Sequence, residues 1–245
     1  MGYFTVTIEP TMAASVQALA AFTAKDLLFD WTSFDVPKGA NKLTDVALMV
    51  RGTDGVYQEK DTVLYFAKSK DGGTTAPASL GTVHATANGT GYFDHVIGAA
   101  QIMSTDFKEG LDSLGVATLG HGAASNHSPN LVLQGEPESG TNVGYDKLYI
   151  GSTSGAYNFA STVQVSTETA TSTSAVVVKT TSALIAFAAG DVLHDEDDQL
   201  IGTIKSITDA TNIVLEDNAA SVSAVNKDLY NINPIKIILS FDDGK

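Results

Sequence analysis

The sequence predicts an all-β protein, with an antiparallel β-sandwich or jelly-roll-like N-terminal domain and a small β-barrel-like C-terminal domain. Short runs of alternating apolar and polar residues recur along the chain, and this two-residue period is typical of half-buried strands. Gly, Asn, Asp and Ser separate the runs, as in the turns of sandwiches and barrels. Hydrophobic residues make up 43% of the chain and charged residues only 17%, which indicates a folded protein and not a disordered one.

The N-terminal third contains the clearest strand patterns. Tyr3 to Glu9 alternates apolar and polar side chains and predicts a first strand. Leu27 to Phe34, which contains the only tryptophan, Trp31, is followed by Val-Pro-Lys-Gly, and this apolar run closed by breakers predicts a strand and a turn. Leu43 to Arg51 and Thr62 to Lys68 repeat the alternation. The last three runs are predicted to be neighbouring strands of one sheet.

The elements that follow are shorter. Their alternation and their Gly-, Asn- and Ser-containing boundaries predict strands at Gly81 to Ala87, Tyr92 to Ile97, Asn130 to Gln134, Lys147 to Gly151 and Tyr157 to Val165. Thr105 to Leu114 carries its large apolar residues at helical spacing and predicts a short helix. The Ala-rich segment Ala13 to Ala24 fits a helical face as well as a strand, so its type is left open.

Composition divides the chain into three segments. Residues 1–165 hold most of the predicted strands and are expected to form the β-sandwich domain. Residues 166–174 are rich in Thr and Ser and are predicted to be a linker. Residues 175–245 contain five short apolar runs, of which Asn231 to Phe241 is the last. About 70 residues with five short strands suit a small barrel.

An acidic run, Asp195 to Asp198, separates two apolar runs of the C-terminal unit. Clustered carboxylates are the ligands that Ca²⁺ prefers, so the candidate metal ligands are Asp195, Asp197 and Asp198. The helix-loop-helix calcium pattern requires Gly at its sixth position, where this sequence has Leu200. The sequence therefore favours a solvated hairpin turn over a calcium loop, and it predicts no metal site.

Other kinds of site lack their defining residues. The chain contains no cysteine, which excludes disulfides and thiolate metal sites. His121 and His127 form the only histidine cluster and are interpreted as residues of a solvated loop. Thr153 occupies the centre of what would be a Gly-x-Ser-x-Gly nucleophile elbow, and no glycine-rich phosphate loop occurs. The sequence therefore predicts no enzyme and no cofactor.

Charge constrains the partners. The chain has 14 Lys and Arg against 28 Asp and Glu, a net charge of -14, which would repel the phosphates of nucleic acid. The N-terminus lacks the pattern of a secretory signal, and no apolar run is long enough to span a bilayer. The sequence therefore predicts neither a nucleic acid nor a membrane as a partner.

Two groups of segments resemble known proteins. Structural virion proteins of tailed, marine-type bacteriophages are similar to the segments Phe29 to Thr53, Ala87 to Tyr92 and Gly135 to Tyr145. The small β modules of phage capsid decoration and tail proteins are similar to the runs Ala189 to Leu193, Ile201 to Ile204 and Ile207 to Thr211. Together these segments are spread between positions 29 and 211 of the chain, but they contain no defined binding motif.

The resemblance implies a capsid decoration or cement protein, which is a viral structural protein of the bacteriophage virion. Such a protein is made in the host cytoplasm, binds the major capsid protein on the outer surface of the head, bridges capsomers and is expected to be a homo-oligomer. An acidic chain suits the outside of the head better than the neighbourhood of packaged DNA.

Two alternatives stay open. The first is a tail or neck component of the virion. The second is a host-glycan-binding module whose exposed aromatic side chains stack on sugar rings. The candidates for this aromatic platform are Tyr145, Tyr149, Tyr157 and Phe159. Their two-residue alternation favours burial in the core over exposure.

Overall fold

The computed structural model describes residues 2–51, 57–69, 76–89, 94–108, 111, 113–120, 128–134, 145–179 and 183–242. Its strands up to residue 154 are β1 (Tyr3–Ile8), β2 (Asp26–Pro37), β3 (Asn41–Arg51), β4 (Thr62–Lys68), β5 (Val96–Ile102), β6 (Phe107–Lys108), β7 (Leu114–Leu119), β8 (Leu131–Leu133) and β9 (Tyr145–Ser154). The later strands are β10 (Ala175–Val177), β11 (Val192–Asp195), β12 (Leu200–Asp209), β13 (Asn212–Leu215), β14 (Leu229–Asn231) and β15 (Ile235–Asp242). Helical structure is limited, in these ranges, to α1 (Ala14–Gln17), α2 (Ala183–Ala186) and a 3-10 turn at Ser104–Asp106.

The strands form three antiparallel sheets. A six-stranded sheet has the order β1-β15-β3-β7-β6, and β8 also pairs with β3. A four-stranded sheet has the order β2-β9-β4-β5. A five-stranded sheet has the order β10-β13-β12-β11-β14. The predicted all-β fold class is confirmed.

The six-stranded and four-stranded sheets share one hydrophobic core, as a β-sandwich does. Leu48 and Ile237 from the first sheet and Phe66 and Ile150 from the second are fully buried in it. Side chains alternate along each strand, so Tyr65, which precedes Phe66, lies on the outer face, where it is only partly buried. Each large apolar side chain in this core contributes about 1.5–3 kcal/mol to folding.

A β-bulge in β3 keeps its apolar residues in this core. Ser240 pairs with Asp45 and Phe241 pairs with Leu43, which leaves Thr44 as the extra residue. An extra residue reverses the alternation of side chains locally. For this reason Leu43 and Val46, which are three positions apart, are both fully buried.

The five-stranded sheet has a second hydrophobic core. Val176, Leu193 and Leu229 lie in three of its strands and are buried in it. Isolated bridges from Gln164 to Asp228 and from Val165 to Val178 link the regions of its two edge strands. In the described part of the chain no continuous strand closes this sheet, so the predicted barrel-like unit is corrected to an open sheet. Its two edge strands have three residues each, which is too short to supply the stagger that a barrel needs.

The last strand belongs to the sandwich. β15 lies between β1 and β3 in the six-stranded sheet, whereas the sequence analysis placed Asn231 to Phe241 in the C-terminal unit. Its inward side chains Ile235, Ile237 and Leu239 are buried in the first core. Local periodicity predicts that a strand exists but cannot tell which sheet will bury it. The division into domains stays a prediction.

The Thr- and Ser-rich segment 166–174 packs against the second core. Ser166 donates its backbone N–H to the Val177 carbonyl oxygen at 2.7 Å. Thr169 is buried, and its Oγ1 donates to the Ser221 carbonyl oxygen at 3.0 Å and accepts from the Ser223 N–H at 2.6 Å. These hydrogen bonds hold the predicted linker against the C-terminal unit.

Four local predictions are wrong, and the first is the strand at Tyr157 to Val165, where the structure has only isolated bridges at Gln164 and Val165. The described residues of Thr105 to Leu114 form no α-helix: Thr105 and Asp106 belong to the 3-10 turn, and Ser113 has a φ of 62°, which an α-helix does not tolerate. Gly81 to Ala87 forms turns, with a single bridge from Thr86 to Asp26 in place of a strand. The three runs expected to be neighbours lie apart, because β9 separates β2 from β4 and β3 belongs to the other sheet.

The segment whose type was left open contains α1. Gln17 at its end is buried, and its Nε2 donates to the carbonyl oxygens of Met12 at 3.0 Å and Asn231 at 2.8 Å. Because Asn231 belongs to β14, α1 ties the N-terminal segment to the five-stranded sheet. Across the described ranges, no helix has the length and apolarity needed to cross a membrane.

Candidate functional site

The acidic run forms the turn of a hairpin. β11 ends at Asp195, β12 begins at Leu200, and the two strands pair antiparallel. Asp198 has a φ of 63° in this turn, a conformation that Asp tolerates better than most residues. The predicted hairpin is therefore present, and the positions of its carboxylates show what each one does.

Asp195 is buried and closes the turn from inside. Its Oδ1 accepts the backbone N–H groups of Asp197 at 3.1 Å and Gln199 at 3.0 Å, and its Oδ2 accepts the hydroxyl of Ser223 at 2.9 Å. A carboxylate that bonds the backbone two and four residues ahead organises the local turn. Asp195 therefore has a structural role in this hairpin.

The next two carboxylates bind one lysine. Lys227 Nζ lies 2.7 Å from Glu196 Oε1 and 2.8 Å from Asp197 Oδ2. The hydrogen bonds that Lys227 donates to Asp197 and then to Glu196 raise the pKa of Lys227 above its ordinary value. The lysine thus neutralises part of the charge of the acidic run.

Asp198 contacts the N-terminal segment. Its Oδ1 accepts the backbone N–H of Ser15 at 3.0 Å, at the start of α1. Desolvation of Asp198 acts to raise its pKa, but hydrogen bonds from Ser15 and the backbone of Ala14 outweigh it and hold the pKa below its ordinary value. The carboxylate supplies an acceptor to one of the unpaired N–H groups at the helix start.

The three candidate metal ligands are therefore directed at different groups of the protein. Asp195 binds Ser223 and the turn backbone, Asp197 binds Lys227, and Asp198 binds the Ser15 N–H. Among the residues that the structure describes, no three His, Asp or Glu side chains are grouped so that they could hold a metal ion.

The described histidines each contact a backbone carbonyl. His84 Nε2 lies 2.7 Å from the Ala20 oxygen, and the imidazole packs on Phe22 with the ring centroids 4.5 Å apart. His194 Nδ1 lies 3.0 Å from the Asp198 oxygen. The cluster of His121 and His127 lies outside the described residues.

Burial, which the sequence favoured over exposure for the four aromatic candidates, is confirmed for three of them. Tyr149, Tyr157 and Phe159 are buried, as their alternation favoured; Tyr145 begins β9, and its side chain lies outside the described part. The hydroxyl of Tyr157 lies 3.0 Å from Thr62 Oγ1. Burial raises the pKa of Tyr157 above its ordinary value, against the effect of the Thr62 hydrogen bond.

A groove on the outer face of the four-stranded sheet was missed by the sequence analysis. Its apolar wall contains Trp31, Tyr65, Leu80 and Val96, its polar lining includes Lys25, Thr86, Asn88 and Thr153, and its volume is about 570 Å³. We call it the Trp31 groove. Its volume falls within the roughly 300–1,000 Å³ of small-molecule sites.

A β-bulge in β2 directs Trp31 toward this groove. Phe29 pairs with Ser152 and Thr32 pairs with Ile150, so two residues of β2 face the single residue Gly151 of β9. Bulges of this kind redirect side chains and are frequent beside binding sites. The extra residue breaks the alternation of side chains, so the pattern of the sequence could not place Trp31 on the outer face. The feature that could have indicated a binding site is that this strand contains the only tryptophan of the chain.

Gly151 leaves room for the wall of the groove. A Cβ at this position would lie 2.5 Å from Leu80 Cδ1 and 3.0 Å from Trp31 Cε3. Trp31 Nε1 donates to the Ala78 carbonyl oxygen at 3.0 Å, and Tyr65 pairs directly with Gly151 across the β4–β9 ladder. The glycine therefore separates the positions of the two aromatic residues.

Comparisons with known proteins give no family. No family model matches the chain, and no curated protein matches its sequence. A solved structure described as the crystal structure of the STIV MCP aligns with 98% of this chain and 96% of that chain, at 9% identity and with a TM-score of 0.15. A likeness this low carries no argument about fold or function.

Proposed function

We propose that this chain is a non-catalytic structural protein of a virus particle, and that it decorates the outside of a tailed phage head. The observation that carries the proposal is the structural use of the acidic hairpin. The four carboxylates of the acidic run all bind groups of the protein itself. The segment that contained the candidate metal ligands therefore stabilises the fold. A lattice protein needs a defined shape and outward-facing surfaces, and it needs no catalytic group.

Polar contacts between the sandwich and the five-stranded sheet support this role. The guanidinium of Arg51, at the end of β3, bonds the carboxylate of Asp191, which precedes β11. The contacts of Ser15 with Asp198 and of Gln17 with Asn231 join the same two regions. A protein that bridges capsomers must transmit force between two attachment surfaces, and cross-links between its sheets suit that task.

The net charge and the repeated geometry of a capsid support an external position. A chain of charge -14 is repelled by packaged DNA and is better tolerated on the outer surface. On a lattice, many weak contacts to the major capsid protein add up through multivalency. A homo-oligomer would increase this effect, since each copy adds an attachment point.

Cryo-electron microscopy of the virion whose genome encodes this chain tests the proposal. We expect density that fits the sandwich and the five-stranded sheet on the outside of the icosahedral shell, in contact with the major capsid protein. Density confined to the tail or neck would exclude the decoration role and favour the alternative virion component. Absence of the chain from purified particles, measured by mass spectrometry, would exclude both.

A further inference from the structure

We propose that the Trp31 groove binds a pyranose ring of a neutral oligosaccharide. This inference rests on the groove alone and does not depend on a position in the virion. It also differs from the aromatic platform that the sequence left open, because Tyr157 and Phe159 of that platform are buried in the first core, whereas Trp31 and Tyr65 are partly exposed on the outer face of the four-stranded sheet.

Two aromatic residues form the apolar wall on which a sugar ring can stack. Trp31 and Tyr65 both line the groove and lie on either side of Gly151 in the sheet, on β2 and β4. Aromatic rings offer large apolar faces at a low cost in conformational entropy. The C–H face of a pyranose is apolar and matches such rings, so the two residues can contact one sugar or two successive sugars.

Trp31 is already held in place in the absence of a ligand. The Trp31 indole donates to the Ala78 carbonyl oxygen at 3.0 Å, and its ring packs over Gly151 beside Leu80. Leu80 is fixed in turn, because its N–H donates to Asp30 Oδ1 at 2.8 Å. A wall that is ordered before binding loses little conformational entropy when the ligand arrives.

The polar lining of the groove suits a neutral sugar. Thr86, Asn88 and Thr153 bring hydroxyl and amide groups to the groove, which can both donate and accept hydrogen bonds from sugar hydroxyls. Among the described residues that line it, Lys25 alone is charged, and one exposed charge contributes little to binding. The net charge of -14 disfavours polyanionic glycans, so a neutral ligand fits best.

The single tryptophan makes a direct test possible. Trp31 is the only tryptophan of the chain. Fluorescence excited at the long-wavelength end of tryptophan absorption, where tyrosine does not absorb, therefore reports on the Trp31 groove alone. We would titrate the purified full chain with neutral pentasaccharides of glucose, N-acetylglucosamine, mannose and galactose, and with a polygalacturonate fragment as the anionic probe. We expect a saturable change in Trp31 emission with at least one neutral probe, confirmed by calorimetry.

Matched variants locate the binding. Tyr65→Ala should weaken the affinity about tenfold, which corresponds to about 1.4 kcal/mol, while Tyr65→Phe should keep most of it because the ring remains. Tyr3→Ala changes a tyrosine that is 72% exposed on β1 of the other sheet and should leave binding unchanged. Circular dichroism and the melting temperature show that each variant is folded.

Two results would overturn the proposal. One is the absence of a saturable signal with every neutral probe, including the case in which only the anionic probe binds. The other is a folded Tyr65→Ala variant that binds as tightly as the unmodified chain, because sugar binding would then take place outside the groove.

Discussion

Ser223 Oγ donates a hydrogen bond of 2.9 Å to Asp195 Oδ2, and both side chains are buried. The two residues are 28 positions apart in the sequence, and their contact fixes the acidic hairpin on the second core. A carboxylate that looks like part of a solvated tip in the sequence is therefore a buried acceptor of three hydrogen bonds.

We expect Asp195→Ala to lower the free energy of unfolding by about 2–4 kcal/mol, because it leaves the Ser223 hydroxyl and two backbone N–H groups without their acceptor. Urea denaturation followed by circular dichroism measures this change. A loss below about 0.5 kcal/mol would contradict the structural role of Asp195.

Asp197→Asn is the matched control in the same turn. The Asp197 side chain is 61% exposed and shares Lys227 with Glu196, so we expect a change within about 1 kcal/mol. The melting temperature should be the same in Ca²⁺ and in chelator for both the unmodified chain and this variant. If Ca²⁺ stabilised the unmodified chain by several degrees and not the variant, the hairpin would be a metal site after all.

Tyr157 should make the protein sensitive to alkaline pH. The folded state raises the pKa of Tyr157, so above the ordinary tyrosine pKa of about 10 the unfolded chain releases a proton that the folded chain retains. Stability is therefore fully present below that pH and falls as the pH rises through it. We expect the free energy of unfolding to decline above pH 10 in denaturation curves measured across this range.

Tyr157→Phe separates the contribution of the hydroxyl's hydrogen bonds from the contribution of its ionisation at alkaline pH. Near pH 7 the variant should lose about 0.5–1.5 kcal/mol, because the hydroxyl bonds Thr62 and the Lys60 carbonyl oxygen. Above pH 10 its stability should decline less steeply, although burial also raises the pKa of Tyr230. Tyr3→Phe, at an exposed site, should reproduce the unmodified pH profile. A Tyr157→Phe profile that runs parallel to the unmodified one would refute this assignment.

Gly151→Ala should distort the Trp31 groove. Its Cβ would meet Leu80 and Trp31 at 3.0 Å or less, so we expect a loss of about 1–3 kcal/mol from overpacking together with a shift of the Trp31 emission maximum. Gly89 also lines the groove, and a Cβ there meets nothing within 4 Å. Gly89→Ala should therefore change stability by less than about 1 kcal/mol and leave the emission unchanged. Equal behaviour of the two variants would argue against tight packing over Gly151.

The ion pair of Arg51 and Asp191 should couple the sandwich to the five-stranded sheet. The Asp191 side chain is only 11% exposed, so a double-mutant cycle with Arg51→Ala and Asp191→Ala should give a coupling energy of about 0.5–2 kcal/mol. Lys147 and Asp35 are 3.4 Å apart, and the Asp35 side chain is 51% exposed. They provide a control pair, for which we expect less than about 0.5 kcal/mol. Equal coupling in both cycles would show that the Arg51 contact is an ordinary surface pair.

Alternation predicted individual strands well where it was unbroken. Val46, Leu48 and Val50 share the buried face of β3, and Leu64 and Phe66 share that of β4, as the sequence indicated. It failed where an irregular backbone interrupts the period. The positive φ of Ser113 ends the apparent helix, and the bulge of β2 conceals the outward position of Trp31.

The sequence by itself determined the all-β class, most of the strands and the hairpin at the acidic run, because these depend on the period of neighbouring side chains and on turn residues. Only the tertiary structure decided that β15 joins β1 and β3, that Asp195 is buried against Ser223, and that Trp31 and Tyr65 line one groove across Gly151. Each of these depends on which distant segment covers which face, and a local pattern of apolar residues is the same whichever partner buries it.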